Sequence, residues 1–296
     1  MPTWVMDDHM SIDLDLTVVG SINADITALT HRLPETGETV GGGRLIHSPG
    51  GKGANQAVAA ARLGARTRMV GAVGSDASGT AMRQALQSAG VGTDDVAVVD
   101  SETGTALIMV DAHGENQIAV CEGANAHVSI AGRSFPAQET VLTQLEISLD
   151  LITELSHSVE GRFVINAAPA LPLPAEVVER ADLIIVNETE YDLLPQLREA
   201  RLVAITYGAK GSALYERGRQ VAFANALPRR PISTVGAGDA FCAALTIALA
   251  SGYSHERALA VANAVGADAV MDPAAQPEFH PLEHYLSSTT STETET

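Results

Sequence analysis

Residues 234–239 carry the side chains and backbone best suited to chemistry in this chain. Gly236 and Gly238 flank Ala237, and an apolar run with helical spacing follows Asp239 at once. The amides of Gly236, Ala237 and Gly238 are therefore predicted to lie unpaired at a helix N-terminus, which favours a bound phosphate. Asp239 could accept a proton beside that phosphate, as phosphoryl transfer to a hydroxyl requires. The alternative is that Asp239 only complements the helix dipole.

An alternation of strands and helices predicts the elements that would position these residues. Apolar strands are predicted at 14–19, 67–73, 96–99, 141–145, 163–165, 183–186 and 202–206. The pattern indicates an α/β fold with a doubly wound, mainly parallel sheet flanked by helices. Ligands gather at the carboxyl ends of strands in such sheets. The polar residues that follow predicted strands are Asn23, Asp25, Glu146, Asn166 and Asn187.

A second glycine-rich stretch, residues 48–64, leads into an alanine-rich helix. It is not a Walker phosphate loop, because Ile46 stands where that loop needs glycine and Gly53 follows Lys52 in place of Ser or Thr. The glycines are expected to let the backbone approach a small polyol. The amide of Asn55, in the first helical turn, would point at that ligand.

Residues 103–121 interrupt the alternation. Two apolar strands flank residues 111–116 with no helix between them, which predicts a β-hairpin. The first of these strands is apolar on both faces, more than one small sheet over a cleft would cover, so we expect a homodimer through the hairpin. The alternative is a hairpin packed wholly within its own monomer.

Composition limits the classes of function. The 296 residues, 46% hydrophobic, suffice for one large α/β domain, placed at about 14–280. A formal charge of −18 argues against nucleic acid and anionic membranes as partners. Cys121 and Cys242 lie far apart without metal spacing, and no signal peptide or transmembrane run is evident, so we expect a cytoplasmic protein with reduced thiols. Residues 1–13 and 287–296 are predicted to be flexible termini.

Residues 236–239 resemble the signature of the ribokinase family of sugar and nucleoside kinases, whose Asp is the catalytic base. Residues 20–25 and 48–64 add to the resemblance, which covers about residues 14–280 with the motifs in the family's order. It implies ATP-dependent phosphorylation of a sugar, with O5 of D-ribose as the expected acceptor. It also implies a small β-sheet lid over the sugar, formed by parts of 21–50 and 103–121.

The resemblance implies roles for individual residues. Asp239 would be the base and the amides of Gly236, Ala237 and Gly238 the anion hole. The residues implied for sugar binding are Asn23, Asp25, Gly50, Gly51, Lys52, Asn55, Glu146 and Asp239. Those implied for nucleotide binding are Asn187, Thr206, Gly208, Lys210, Gly211, Gly238 and Asn263, the last on a helix predicted at 255–269, with residues 274–277 closing the site.

Two metal sites follow from the resemblance. Asn187 and Glu190 match the family's Asn-x-x-Glu motif, which would hold Mg²⁺ largely through water; alternatively, Glu190 is only a first-turn acid of the following helix. A potassium site would need an Asp six residues before Asp239, where this chain has Ser233. The remaining potassium ligands would be carbonyls around Val235, Val270, Pro273 and Ala275. Because serine brings no charge, we expect weak potassium activation or none.

The segment after Asn187 is shorter than the resemblance implies, and Tyr207 stands where a smaller apolar residue is expected. Several functions stay open. The acceptor could be another pentose, a hexose or a nucleoside, since motifs do not measure pocket size. A sugar-binding protein with little turnover would have no need of Asp239. A dinucleotide-dependent dehydrogenase is disfavoured, because residues 236–238 lack a third glycine in register and lie too late in the chain.

Overall fold

The computed structural model describes residues 12–290. These residues form thirteen strands, eight α-helices and three short 3-10 helices. The strands are β1 (Asp15–Val19), β2 (Asn23–Leu29), β3 (Arg44–Gly50), β4 (Arg66–Gly74), β5 (Val96–Val99), β6 (Gly104–Val110), β7 (Asn116–Cys121), β8 (Thr140–Gln144), β9 (Arg162–Asn166), β10 (Leu183–Asn187), β11 (Val203–Thr206), β12 (Ser212–Glu216) and β13 (Arg219–Ala224). The helices are α1 (Lys52–Arg62), α2 (Ala77–Ser88), α3 (Leu149–Ser158), α4 (Ala175–Arg180), α5 (Glu188–Leu193), α6 (Ala237–Ala250), α7 (His255–Ala269) and α8 (Leu282–Thr290), and the 3-10 turns are Gly123–His127, Pro195–Glu199 and Gly208–Lys210.

The main sheet has nine strands in the order β13-β12-β11-β10-β9-β8-β1-β4-β5. Strands β12 and β13 pair antiparallel and the other seven are parallel, which confirms the predicted fold class. The central strands are buried on both faces, as the apolar sequence of β10 and β11 predicts. Strand order reverses between β1 and β8, so the ends of these two strands flank the crevice in which open α/β sheets bind ligands.

Helices cover both faces of the main sheet. On one face α1, α6, α7 and α8 pack together, and small buried residues such as Ala57, Ala60 and Ala244 let α1 approach α6 closely. On the other face α3 and α4 pack over Phe163 and Ile184 with the 3-10 turn Pro195–Glu199. No helix among residues 12–290 has the length and apolar character needed to cross a bilayer.

The second sheet is small, with strands in the order β3-β2-β6-β7. We call it the lid. Strands β6 and β7 form the predicted hairpin, and β2 joins it in parallel with β6. Asn23 and Asp25 therefore follow β1, as predicted, and lie within a strand of the lid, which was expected to include parts of 21–50. In the register of the lid, Asp25 stands opposite Ser48 on one side and Ala106 on the other.

Helix α8 extends into the predicted flexible C-terminus, because residues 287–290 form its last turn. Leu282 is fully buried against the core and its N–H donates to the Leu63 carbonyl at 3.0 Å. The N–H of Ile12 donates to Glu283 Oε1 at 3.0 Å, and Asp13 pairs with Arg66, so residues 12 and 13 are held as well. The rest of the predicted flexible termini, 1–11 and 291–296, lies outside the described residues.

Candidate active site

The N-terminus of α6 faces open space. Gly236 is its N-cap, with φ of 76°, and no side chain caps the helix. A Cβ on Gly236 would lie 2.2 Å from the Ala275 carbonyl oxygen, whereas a Cβ on Gly238 would meet nothing within 4 Å. The Ala237 N–H makes only a long bond, 3.4 Å, to the Thr234 carbonyl. The arrangement leaves backbone donors and an empty volume where an anion could be received.

Asp239 is buried in the first turn of α6 beside these amides. Gln56 Nε2 donates to its Oδ1 at 2.9 Å, and Asn55 Nδ2 donates to its Oδ2 at 3.1 Å. Burial raises the pKa of Asp239, and Lys52, Gln56 and Asn55 oppose that rise. A buried carboxyl with a raised pKa next to an open anion site is suited to accept a proton from a hydroxyl.

Glycines allow the start of α1 to approach β1 and β2. Gly51, the N-cap of α1, has φ of 88°, and a Cβ there would lie 2.8 Å from the Asn23 nitrogen. A Cβ on Gly50 would fall 2.1 Å from a carboxylate oxygen of Asp25. The space that a Cβ would need at these glycines is occupied by groups of the protein itself, and the approach of their backbone to a polyol stays a prediction.

Three acidic side chains and one lysine converge next to α1. The pKa of Asp25 is raised to about 7 by burial and by the nearby Glu146 and Asp239. Glu146 Oε2 accepts from Ser21 Oγ at 2.6 Å and from the Lys52 backbone N–H at 3.0 Å. Burial lowers the pKa of Lys52, but attraction to Asp239 and Glu146 outweighs it and raises the pKa above its usual value.

Asp25 Oδ1 is buried without a hydrogen-bond partner among the described residues. Nearby, Asn23 Oδ1 accepts from Asn125 Nδ2 at 2.7 Å, and Asn125 Oδ1 accepts from the Ile22 N–H at 2.9 Å. A cavity of about 450 Å³ is lined by Asn23, Asn125 and Glu146, with Val120 of the lid on one side. Fixed amides and the Glu146 carboxyl group beside this cavity can bind a ligand that carries several hydroxyls.

Sequence reasoning missed several amides of this site. Gln56 follows Asn55 in the same motif, and Gln276 lies in the loop predicted to close the site, so position alone could have suggested them. Gln276 Nε2 donates to Asn55 Oδ1 at 3.0 Å. Asn125 lies in a 3-10 turn with no recognisable motif. Asn166, expected to line the cleft, is buried and bonds to Gln56 instead.

On the opposite side, the ends of β10 and β11 place Asn187 beside Thr206. The turn Gly208–Lys210 follows, and a Cβ on Gly211 would lie 2.1 Å from the Ala224 carbonyl oxygen. Lys210 is exposed at this turn. Together these residues form the predicted glycine turn at a strand end.

Asn263, whose nucleotide-binding role stays a prediction, makes hydrogen bonds within the protein. Its Nδ2 donates to the carbonyls of Ala224 (3.0 Å) and Asn225 (3.2 Å), and its Oδ1 accepts from Ser212 Oγ at 2.9 Å. Both amide hydrogens are therefore used within the protein. The side chain braces β12 and β13 against α7, and does not point a free donor at a nucleotide.

Asn187 and Glu190 form a reciprocal capping box at the start of α5. Asn187 Oδ1 accepts from the Glu190 N–H and Glu190 Oε2 accepts from the Asn187 N–H, both at 2.8 Å. No cluster of three or more His, Cys, Asp or Glu in residues 12–290 could hold a metal by itself. The exposed pair keeps one carboxylate oxygen outside the box, which suits an ion held mainly through water.

The segment before α6 is tied to the end of α7. The Val270 carbonyl accepts from the N–H groups of Ile232 (2.8 Å) and Ser233 (3.2 Å). Ser233 Oγ accepts from the Val235 N–H at 3.2 Å. The serine hydroxyl and the Val270 carbonyl, two of the oxygens expected at a potassium site, are thus engaged in holding this segment.

The aromatic residue that departs from expectation, Tyr207, joins a small cluster. Its hydroxyl lies 3.1 Å from that of Tyr215, whose ring centroid is 6.1 Å from that of Tyr191 on α5. The three rings pack against the core on the α3–α4 face of the sheet. The cluster fills the space next to the short connection between β10 and β11.

Residues 13–280 match the family described as pfkB family carbohydrate kinase. The chain is 38% identical to the ribokinase of Bacillus subtilis over 293 residues, which covers 92% of this chain and 99% of that protein. This chain belongs to the pfkB family of carbohydrate kinases.

Solved structures agree. The ribokinase of Arabidopsis thaliana complexed with ribose and ATP superposes with a TM-score of 0.80 at 30% identity, over 93% of this chain and 98% of that one. The ribokinase of Thermotoga maritima gives a TM-score of 0.82 at 26% identity, over 94% and 99% of the two chains.

The pKa of Asp25 leads to a prediction about stability. The carboxyl of Asp25 has a pKa near 3.8 in the unfolded chain and about 7 in the folded protein. The folded state therefore binds the extra proton, and stability falls as the pH rises through about 7. Without ligand, Asp25→Asn should be more stable than the parent at pH 8 by on the order of 2 kcal/mol, and this advantage should vanish towards pH 4. Thermal unfolding at a series of pH values measures it.

Asp76→Asn is the matched control with the opposite sign. Hydrogen bonds from Thr103 and Gly79 lower the pKa of Asp76, so its ionised form stabilises the fold. That variant should lose stability at pH 8 relative to the parent. If the stability difference between Asp25→Asn and the parent is the same at pH 4 and pH 8, the pKa of Asp25 is not raised in the folded protein.

Proposed function

We propose that this chain is an ATP-dependent ribokinase that phosphorylates O5 of D-ribose. The observation that carries the proposal is the buried carboxylate of Asp239 in the same helical turn as the open amides of α6. The 38% identity to a ribokinase over nearly the whole of both chains supports ribose as the acceptor.

Asp239 acts as the general base in this proposal. Its pKa is raised towards neutral pH, which makes the carboxylate a better base. It takes the proton of the sugar hydroxyl as the new P–O bond forms. The amides of Gly236, Ala237 and Gly238 donate to the phosphoryl oxygens and stabilise the charge that develops there. Lys52 stays protonated beside Asp239 and Glu146 and adds positive charge to the acceptor side.

The sugar binds between the start of α1 and the lid. Asp25 accepts hydroxyl hydrogens through its unpaired Oδ1. Asn23 and Glu146, which line the cavity, complete the polar wall together with Lys52 and the backbone at Gly50 and Gly51. The Asn55 Nδ2 group already donates to Asp239 Oδ2, so it contacts the sugar only through its second amide hydrogen. The exposed side chain of Val120, on the lid, covers the cavity and limits water.

ATP binds at the ends of β10 and β11. Thr206, Gly208, Lys210 and Gly211 supply the turn that meets the nucleotide, and Gly238 meets its terminal phosphate. Asn187 and Glu190 hold Mg²⁺ through water, and their exposed capping box fits an ion with few protein ligands. Magnesium would neutralise phosphate charge during transfer.

One prediction tests the base and the acceptor together. With ADP release as the readout, the parent should prefer D-ribose over 2-deoxyribose, fructose and adenosine. Asp239→Asn should bind ribose but lose about 10²–10⁴-fold in kcat, the usual contribution of a general base. Thr246→Val, a buried substitution in the same helix, is the matched control and should keep the parent rate.

An Asp239→Asn rate within a few-fold of the parent would exclude the base assignment. A preference for fructose or adenosine would assign the chain to another activity of the same family. Ribose binding by calorimetry without turnover in the parent would favour a sugar-binding protein.

The second prediction concerns potassium. Ser233 brings no charge, and the Val270 carbonyl already accepts two backbone bonds, so we expect activation by potassium to be weak or absent. The ratio kcat/KM is measured in potassium, sodium and tetramethylammonium chlorides at one ionic strength. Ser233→Asp should gain potassium activation if the carbonyls near Val235, Pro273 and Ala275 complete a site. Strong activation of the parent at low millimolar potassium would contradict the prediction.

We also propose a homodimer through the lid. Alternation along the strands places Ile26, Ala28, Leu107 and Met109 on one face of the lid and Asp25 on the other. The first face is apolar and open, with Leu107 46% and Leu45 57% exposed. Nothing else among residues 12–290 covers this face, and a second lid would bury it.

Leu107→Glu should reduce the mass in sedimentation equilibrium from twice 30.8 kDa to 30.8 kDa, because the charge cannot be buried unpaired. Val98→Glu is the matched control: Val98 is 53% exposed but lies on the edge strand β5 of the main sheet. A parent protein that sediments as a monomer, or a Val98→Glu variant that dissociates equally, would refute the lid interface.

A further inference from the structure

Gln56 is fully buried, yet its amide touches the carboxylate at the centre of the site. Its Nε2 donates to Asp239 Oδ1 at 2.9 Å and to Asn166 Oδ1 at 3.0 Å. Its Oε1 accepts from Gln144 Nε2 at 2.7 Å. A chain of buried amides thus runs from the ends of β8 and β9 through α1 to Asp239.

The neighbours allow only one orientation of the Gln56 amide. Asn166 Nδ2 donates to the Ile185 carbonyl at 3.1 Å, which turns Asn166 Oδ1 towards Gln56. Gln144 presents a donor on the other side. A flipped Gln56 amide would set its oxygen against the oxygens of both Asn166 and Asp239, and would lose all three bonds.

The Gln144 side chain uses only one of its two polar ends. Gln144 Oε1 is buried with no hydrogen-bond partner among the described residues. A Cβ on Gly20 would lie 2.0 Å from that oxygen, so glycine at position 20 leaves room for the amide. A buried unpaired amide oxygen costs stability, but an apolar residue at 144 would leave Gln56 Oε1 unpaired in its place. What the amide provides is the donor that orients Gln56.

We propose that Gln56, oriented by Gln144 and Asn166, is the positioning residue for the Asp239 carboxylate: it fixes the carboxylate plane and keeps Asp239 ionised until the acceptor hydroxyl arrives. This inference rests on the proposed function of Asp239 as the base. Asn55 holds the other carboxylate oxygen, so neighbouring residues of one helical turn grip both oxygens.

The charges around Asp239 give this hydrogen bond its weight. Lys52 favours the ionised form, whereas Glu146 and Asp25 are acidic groups that disfavour it. Cys242, one turn along α6, stays a neutral thiol because burial raises its pKa well above the usual value. With burial as the largest opposing effect, each donor to the carboxylate matters for keeping the base ionised near neutral pH.

The experiment compares pH profiles of kcat/KM for D-ribose. Gln56→Met keeps the length of the side chain without a donor, so the acid limb should move up by about one pH unit and kcat at pH 7 should fall about tenfold. Gln56→Glu should move the limb further, since two adjacent carboxylates share one proton. The KM for ATP should stay within about twofold of the parent value in both variants, because Gln56 contacts the base and not the proposed nucleotide site.

Gln144→Leu gives a second measurement that leaves Gln56 in place. Without the orienting bond, the acid limb should shift in the same direction by a smaller amount, and this result decides if Gln56→Met does not fold. Thr246→Val is the control for a polar-to-apolar change in the core and should keep the parent profile. Acid limbs of Gln56→Met and Gln144→Leu that coincide with that of the parent would overturn the inference.

Asp239→Asn, measured alongside, separates the two possible failures. If Asp239→Asn is nearly inactive while the Gln56 and Gln144 variants keep the parent profile, only the positioning role is wrong. If Asp239→Asn turns over like the parent, the base assignment itself fails, and the inference falls with it.

Discussion

The structure depends on holding one acidic side chain, that of Asp239, inside the protein. Asp239 is buried at the start of α6, and three groups from the first turns of α1 compensate its charge: Lys52, Asn55 and Gln56. These side chains reach Asp239 only because α1 lies close to α6 and to the end of β1. A glycine in the first turn of α1 is needed for that approach, since a Cβ on Gly53 would lie 2.6 Å from the Ser21 nitrogen.

Helix α1 also contacts the loop that contains Ala275, Gln276 and Pro277. At its C-terminal end, Arg62 donates to the carbonyls of Gln276 and Pro277, and in its first turn Asn55 accepts from the Gln276 amide. The carbonyl of Ala275, in the same loop, abuts Gly236 at the anion site. A displacement of this loop would therefore change the contact at Gly236 and the hydrogen bond to Asn55, and through Asn55 the surroundings of the Asp239 carboxylate.

The acidic groups next to the lid lower the stability of the folded protein. The lid strand β2 places Asp25 near Glu146 and Asp239, so three acidic groups share a small, partly buried volume. Asp25 keeps an unpaired oxygen, and Gly50 has to be glycine to leave room for its carboxylate. Raised acidic pKa values and unpaired oxygens are typical of a surface that is completed by a polar ligand.

The sequence by itself determined the local structure and the type of chemistry expected at the start of α6. Apolar periodicity predicts the parallel sheet and the lid hairpin, and the glycines around Ala237 predict the uncapped start of α6, because these features depend on neighbours along the chain. Tertiary structure alone decided which polar groups meet. Gln56 and Asp239 lie 183 positions apart, and Asn263 on α7 donates to the Ala224 carbonyl at the end of β13. Such partners depend on how helices pack across the sheet, which no local pattern encodes.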